Sequence, residues 1–186
     1  MIDEYTPDLE ASHDLNLTPS ADVLQALSTL LDEPQEILQE ALKQSRSESG
    51  YERYEYPKGN GKVRVIHAPA AELKQIQRAL LDQLLNQVSV TPFAHGFVPH
   101  RSIITNALVH APSARHILSV DLKDAFPSVS EARVSSVITW RVGRLIKINA
   151  PQLSAEDRGV ACQLIAQLCT RDGALPQGAP TSGYLL

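Results

Sequence analysis

Cysteine is scarce in this chain: Cys162 and Cys169 are the only two. They lie seven apart in a helical pattern. That spacing puts both on one helix face, as small apolar core residues of a reducing compartment. No second Cys or His pair at ligand spacing accompanies them, which argues against a zinc site. Long hydrophobic runs are also lacking: nothing approaches the roughly 18 consecutive apolar residues of a membrane span, so no membrane partner is expected. The first residues, MIDEYTPDLEASHD, are acidic and carry no apolar core of a secretory signal, so the cytoplasm is the expected location. Internal repeats and low-complexity tracts are lacking too. Adjacent acidic residues are few, namely Asp3-Glu4, Asp32-Glu33 and Glu156-Asp157, and none follows residue 182.

What is present is ordinary globular material over 186 residues, 43% hydrophobic and 20% charged. This suffices for one real core, either as a single domain or as part of a larger one. The net charge of −4 conceals an uneven distribution. Residues 1–50 carry 2 Lys/Arg against 11 Asp/Glu, residues 51–115 carry 8 against 4, and residues 116–186 carry 7 against 6. The basic middle is suited to phosphate backbones, although charge alone fits a solvated basic face equally well.

Residues 1–19 read as a flexible acidic lead. Ser20 is placed to cap a helix over 21–32, with Val23, Leu24, Leu27, Leu30 and Leu31 as its apolar stripe. Pro34 suits the first turn of a second helix to Ser45, and SRSESG then reads as a linker. YERYEYP and KVRVIHAP are β-prone runs separated by KGNG, which predicts a hairpin. Leu73, Ile76, Leu80, Leu84 and Val88 recur at helical spacing over 70–88. Further helices are expected over 102–111, 131–145 and 155–170. HILSVDL, residues 116–122, has the composition of a buried strand ending in an acid, and residues 171–186 read as a loop that begins another helix.

Two segments could carry chemistry. In Ser119-Val120-Asp121-Leu122-Lys123-Asp124-Ala125-Phe126-Pro127-Ser128, an acid at a strand end is costly to bury without a cation or hydrogen bonds. Two carboxylates three apart can face one Mg²⁺, which prefers oxygen donors; taken alone, the segment equally fits an Asp capping a turn. In Leu175-Pro176-Gln177-Gly178-Ala179-Pro180-Thr181-Ser182, two prolines and a glycine constrain a loop bearing hydrogen-bonding side chains. That loop also fits a simple turn with Thr181 or Ser182 as an N-cap.

Taken together and in order, four blocks make the sequence resemble the reverse transcriptases, especially the bacterial retron and group II intron branch. They are Lys62–Pro69 with Leu73–Arg78; Ala94-His95-Gly96-Phe97 with Arg101-Ser102-Ile103 and Asn106-Ala107; the VDLKDAFPSV block; and LPQGAPTS. The match spans roughly residues 51–186, and LPQGAPTS is close to diagnostic by itself. Asn106-Ala107-Leu108-Val109-His110 matches the NAxxH signature of retron enzymes.

The resemblance implies an α/β (α+β) fold: polymerase fingers over 51–115, a partial ferredoxin-like palm over 116–186, and a helical extension over 1–50. It implies that Asp121 is the first catalytic aspartate and a metal ligand, joined by the Leu122 carbonyl. It makes Phe126 the aromatic gate against a ribose 2′-hydroxyl; a core Phe is the alternative. Asp124 and Ala125 would help seat the triphosphate. Arg64, and with it Lys58, would grip nucleotide phosphates, although Lys58 also fits a solvated turn. Gln177 and Gly178 would lie near the nucleotide and template. Arg101 would touch template backbone or else form a structural ion pair. Asn106 and His110, at i and i+4, would face RNA or bond to each other within the helix. His95 is expected to fix a loop rather than move protons.

The implied reaction copies an RNA template into DNA from dNTPs and a primer, using two Mg²⁺ ions. A structured noncoding RNA is the implied partner for a retron enzyme. The family's second acidic motif, a Tyr-x-Asp-Asp hairpin, and its thumb are not in the sequence, and the chain stops within an apolar run. The expectation is therefore the front part of a longer enzyme, inactive by itself; the alternative is a short protein that binds RNA or a partner without polymerising. Phe126 argues against an RNA-dependent RNA polymerase. Gly183 departs from the Pro common after this Ser, which would loosen the helix start.

Overall fold

The computed structural model describes residues 18–59, 61–111 and 114–186. The expected acidic lead falls almost wholly outside these residues, as does Asn60 of the KGNG turn. The described elements are α1 (Ala21–Leu31), α2 (Gln35–Ser45), β1 (Tyr51–Pro57), β2 (Val63–Pro69), α3 (Ala71–Gln83), α4 (Ile103–His110), α5 (Glu131–Val137), α6 (Gly143–Asn149), α7 (Ala155–Cys169) and α8 (Ser182–Leu185). A π-helical segment, Ile138–Val142, joins α5 to α6 without a break. The result is a mixed helical fold with one small antiparallel sheet.

One apolar core runs through most of these elements. α7 presents a broad buried face, Ala161, Cys162, Leu164, Ile165, Ala166, Leu168 and Cys169, and packs against α1, α2, α3, α5 and α6. Val23, Leu27 and Leu31 from α1, Leu38 from α2, and Leu73, Ile76 and Leu80 from α3 fill the space around it. Each such side chain contributes about 1.5–3 kcal/mol on leaving water. Burial pushes the Cys162 thiol up to about 11 and the Cys169 thiol up to about 12. Both are thus the unreactive core residues expected of them.

The helix ends are held by side chains, several from other elements. Ser20 accepts the backbone N–H of Val23 at 3.3 Å, as its position predicts. α3 has no cap of its own, so Gln44 of α2 serves: its Oε1 accepts the Leu73 N–H at 3.1 Å. At the far end of α7, buried Gln77 donates to the Leu168 carbonyl at 2.8 Å and to the Tyr51 hydroxyl at 3.0 Å. The terminal carbonyls of a helix have no partner within it, so a buried helix end needs such a donor.

The hairpin forms as expected, in a register that sets Tyr51 opposite Pro69 and Pro57 opposite Val63. The connection closes where the Lys58 N–H donates to the Lys62 carbonyl at 2.6 Å. The expected linker before it is instead a short 3₁₀ turn, Glu48–Gly50. A Cβ on Gly50 would lie 1.8 Å from the Gln44 carbonyl oxygen, so only glycine permits this approach. Gly50 also accepts the Ala70 N–H at 2.9 Å, tying both ends of the hairpin to α2.

One expectation fails. Residues 116–122 form no strand and are exposed, with Ile117, Leu118, Val120 and Leu122 all facing solvent. A strand needs a ladder partner for its N–H and C=O groups. β1 and β2 pair with each other, and no third strand exists among the described residues. No described helix is long and apolar enough to cross a membrane.

Candidate nucleotide and nucleic-acid site

The motif blocks, separated in sequence, are linked in a chain of contacts that runs through the segment following Asp121 and the LPQG loop. Asp124 adopts a left-handed conformation (φ 52°), which a short acid tolerates better than most residues. The chain then closes a turn in which Ser128 donates its N–H to the Asp124 carbonyl at 3.1 Å, and Val129 donates to Phe126 at 3.1 Å. This turn directs the Phe126 ring toward the core, against which it is partly buried. The Lys123–Asp124 pair, 3.9 Å apart and exposed, contributes little to holding it.

Beyond the turn, the DLKDAF block is stitched to the LPQG block through main-chain bonds. Glu131 donates its N–H to the Gly173 carbonyl at 2.8 Å and Leu175 donates to Val129 at 3.1 Å. Asp172 and Gly173, both left-handed (φ 51° and 76°), reverse the chain between Arg171 and Ala174. Asp-Gly is a strong sequence signal for such a tight turn, so the loop expected over this stretch contains a defined reversal.

The LPQG loop in turn docks on the hairpin. His67 of β2 donates its N–H to the Gln177 carbonyl at 2.8 Å. Gly178 has φ 120°, and a Cβ there would meet Ile66 at 2.6 Å and the His67 carbonyl at 2.9 Å. Gly178 is therefore required for both its conformation and its closeness to β2. His67 titrates below its ordinary range, first because it is partly buried and then because Arg171 and Arg53 lie near it.

The second block closes the arrangement through an aromatic contact. Phe97 is left-handed (φ 58°), a cost of about 1–3 kcal/mol for a bulky residue unless its surroundings fix it. Its ring meets Phe126 edge-on, with centroids 6.5 Å apart and planes at 76°. It also sits where a Cβ on Gly183 would be, at 2.4 Å. Gly183 thus leaves room for the Phe97 ring, which gives the departure at this position a packing reason. This role of Phe97 comes from the tertiary contact alone and has no signal within its own block.

The remaining candidates are distributed as follows. Lys58 and Arg64 are exposed on the hairpin, Lys58 at its turn and Arg64 opposite Tyr56. Asp121, Leu122 and Asp124 are exposed and Ala125 partly so. Arg101 donates to the carbonyls of Thr91 (2.7 Å) and Ala94, bracing that loop in place of the ion pair considered for it. His95 Nδ1 lies 2.9 Å from the Thr105 hydroxyl. This contact joins the His95 loop to the first turn of α4, where the Thr105 hydroxyl also lies 2.9 Å from the Ser102 carbonyl. Asn106 and His110 are exposed on α4, with no side-chain hydrogen bond between them among the described residues.

The described residues contain no cluster of three or more His, Cys, Asp or Glu able to hold a metal. Asp121 and the Leu122 carbonyl therefore have no cluster of further carboxylates around them among the described residues.

Residues 56–186 match the family described as reverse transcriptase (RNA-dependent DNA polymerase). Among curated proteins, the chain is 39% identical over 140 residues to the retron Mx162 reverse transcriptase of Myxococcus xanthus, covering 71% of this chain and 28% of that protein. It is 48% identical over 88 residues to the retron Mx65 reverse transcriptase of the same organism, covering 47% and 20%. It is 34% identical over 125 residues to the retron Ec86 reverse transcriptase of Escherichia coli, covering 67% and 34%. The chain therefore spans about a third or less of the length of these relatives.

Proposed function

Because the chain belongs to the reverse transcriptase family, we propose that it supplies the fingers and part of the palm of an RNA-directed DNA polymerase of the retron kind. In this reading residues 51–115 are the fingers, 116–186 part of a ferredoxin-like palm, and 1–50 a helical extension. The observation that carries it is the linkage of the four blocks, two of which meet the Asp124–Val129 segment of a third while the hairpin block reaches it through the LPQG loop. Phe97 packs on Phe126 and Leu175 bonds to Val129, while His67 bonds to Gln177 one step further on.

Each residue then has a task. Asp121 and the Leu122 carbonyl hold a divalent cation, with Mg²⁺ favoured because it takes hard oxygen donors. These donors alone do not complete a two-ion site, so residues 1–186 by themselves should not extend a primer. Arg64 and Lys58 contact the triphosphate, whose oxygens suit a guanidinium fork, and Asp124 and Ala125 seat it through their backbone. Phe126 excludes a 2′-hydroxyl by bulk. Gln177 and Gly178 line the base and template side. Arg101 is occupied with loop carbonyls and acts on the template through the loop it braces. Asn106 and His110 offer an exposed polar pair to RNA, a structured noncoding transcript being the proposed template in the cytoplasm, with DNA as product.

The test is primer extension on an RNA template with dNTPs and Mg²⁺ by the full-length gene product. Asp121→Ala is expected to abolish extension, and retained activity would remove Asp121 from the site. Phe126→Ala is expected to admit ribonucleotides while dNTP incorporation persists.

A further inference from the structure

One basic stretch lies outside the four blocks. Between Glu131 and Glu156 the sequence contains no acidic residue but four basic ones, Arg133, Arg141, Arg144 and Lys147, in a chain whose net charge is −4. Three of these fall on the π segment and α6. The π segment carries the chain's only tryptophan, Trp140, which is 66% exposed. An exposed indole is a large apolar surface to leave in water, and π-helical insertions often mark functional positions.

Trp140 is not simply loose. The Arg141 guanidinium lies 3.7 Å from the indole centroid, stacked on the ring. Both residues line an open cleft of about 330 Å³, completed by Arg144 and Leu145 on one side and by Val88 and Ser89 on the other. The Val88–Ser89 wall is anchored from behind, because the Tyr184 hydroxyl donates to the Val88 carbonyl. None of the Arg141, Arg144 and Lys147 side chains has an ion pair or hydrogen bond among the described residues. Cations kept unpaired beside a flat π surface in a cleft of this size suit a ligand with both anionic and planar parts.

We infer that this cleft binds a segment of single-stranded nucleic acid, one base stacking on the Trp140–Arg141 pair and adjacent phosphates contacting Arg144 and Lys147. Aromatic stacking with cationic tracking of the backbone is how proteins hold single strands without reading sequence. A guanidinium already stacked on a ring keeps its edge N–H groups free for phosphate oxygens. An acidic peptide would satisfy the cations but leave the indole without a planar partner. The site shares no residue with the blocks around Phe126, so it would hold a strand apart from the reacting nucleotide.

The test uses residues 1–186 with no nucleotide substrate, so its outcome is independent of polymerase activity. Oligo(U) and oligo(dT) of about 15 nucleotides, fluorescein-labelled, are titrated at low salt while anisotropy and Trp140 emission are both followed. Binding by either strand is expected to quench Trp140 saturably and to weaken steeply with salt; quenching by RNA alone would assign the site to ribose-containing strands, and quenching by both to single strands generally. Trp140→Leu and the pair Arg141→Gln with Arg144→Gln are each expected to weaken binding about tenfold, while Trp140→Phe retains most of it. All three positions are exposed, and unchanged thermal melts would show that the variants fold. The inference is overturned if anisotropy rises without quenching, if the variants bind like the parent, or if polyglutamate quenches Trp140 as effectively.

Discussion

The α1–α3–α7 core and the stretch from α4 to Leu122 are built from similar apolar residues and meet opposite fates. Val23, Leu27, Leu38, Ile76 and Ile165 are fully buried, whereas Ile103, Ile104, Leu108, Ile117 and Leu118 are exposed. Local structure does not separate them. α4 begins with a complete capping box, Ser102 with Thr105, yet buries none of its residues. The difference lies in partners: each core helix has neighbours on its apolar face, and its orphan backbone groups are met by Gln44, Gln77 or Ser20. The second region has neither a facing helix nor a third strand among the described residues. Apolar patterning states what a segment can bury, and packing partners decide whether it does.

The comparison would break most visibly at the centre of α7. Ile165→Ala removes a fully buried side chain, and the lost transfer energy plus the residual cavity should cost about 2–5 kcal/mol, read from the urea midpoint. A cost below that of an ordinary surface change would mean that the α7 face is loosely packed. Gly50→Ala comes next. Its new Cβ would overlap the Gln44 carbonyl, forcing α2 and the hairpin apart at a cost of about 1–3 kcal/mol. The same assay would report it as a lower midpoint with an unchanged slope.

A smaller effect is expected from pH at the junction of hairpin and core. Burial pushes the Tyr51 hydroxyl well above its ordinary value, with the Gln77 hydrogen bond opposing that shift in part. A raised folded pKa favours the protonated form in the fold. Its contribution is therefore fully present below the unfolded value, about 10, and is lost as pH rises beyond it. Stability should fall above that pH, and the fall should be shallower in Tyr51→Phe. An identical alkaline profile in the two proteins would remove Tyr51 as its source.

How much of this was legible beforehand follows the same division. The hairpin was readable because its turn residues and β-prone flanks are local, and the helices because their apolar spacing is local. The Ser20 cap and the buried cysteines were readable for the same reason. The strand expected over 116–122 was not sound, because its apolar run carries no information about a ladder partner. The contacts joining the motif blocks were equally hidden. Nothing within Ala94-His95-Gly96-Phe97 indicates that Phe97 turns left-handed to reach Phe126, or that Gly183 makes room for it. Asp172-Gly173 is the exception, a turn whose signal is local and present in the sequence. The order of the blocks identified the family, while their meeting in space required the fold.

The smallest expected effect is the most pointed test of the comparison, because it concerns residues that composition alone would place in a core. Leu118 is 87% exposed, so Leu118→Glu should change unfolding free energy by no more than about 0.5 kcal/mol, as surface substitutions usually do. The same change at Leu27, which is 0% exposed, would bury an unpaired carboxylate and should prevent folding altogether. Leu118→Glu should also raise solubility, since an exposed apolar run with no strand partner among the described residues invites association. Both variants are read by urea unfolding and by light scattering at increasing concentration. Were Leu118→Glu to cost as much as a core substitution, the 116–122 run would have to be covered in solution, and the two regions would differ in their partner rather than in whether they have one.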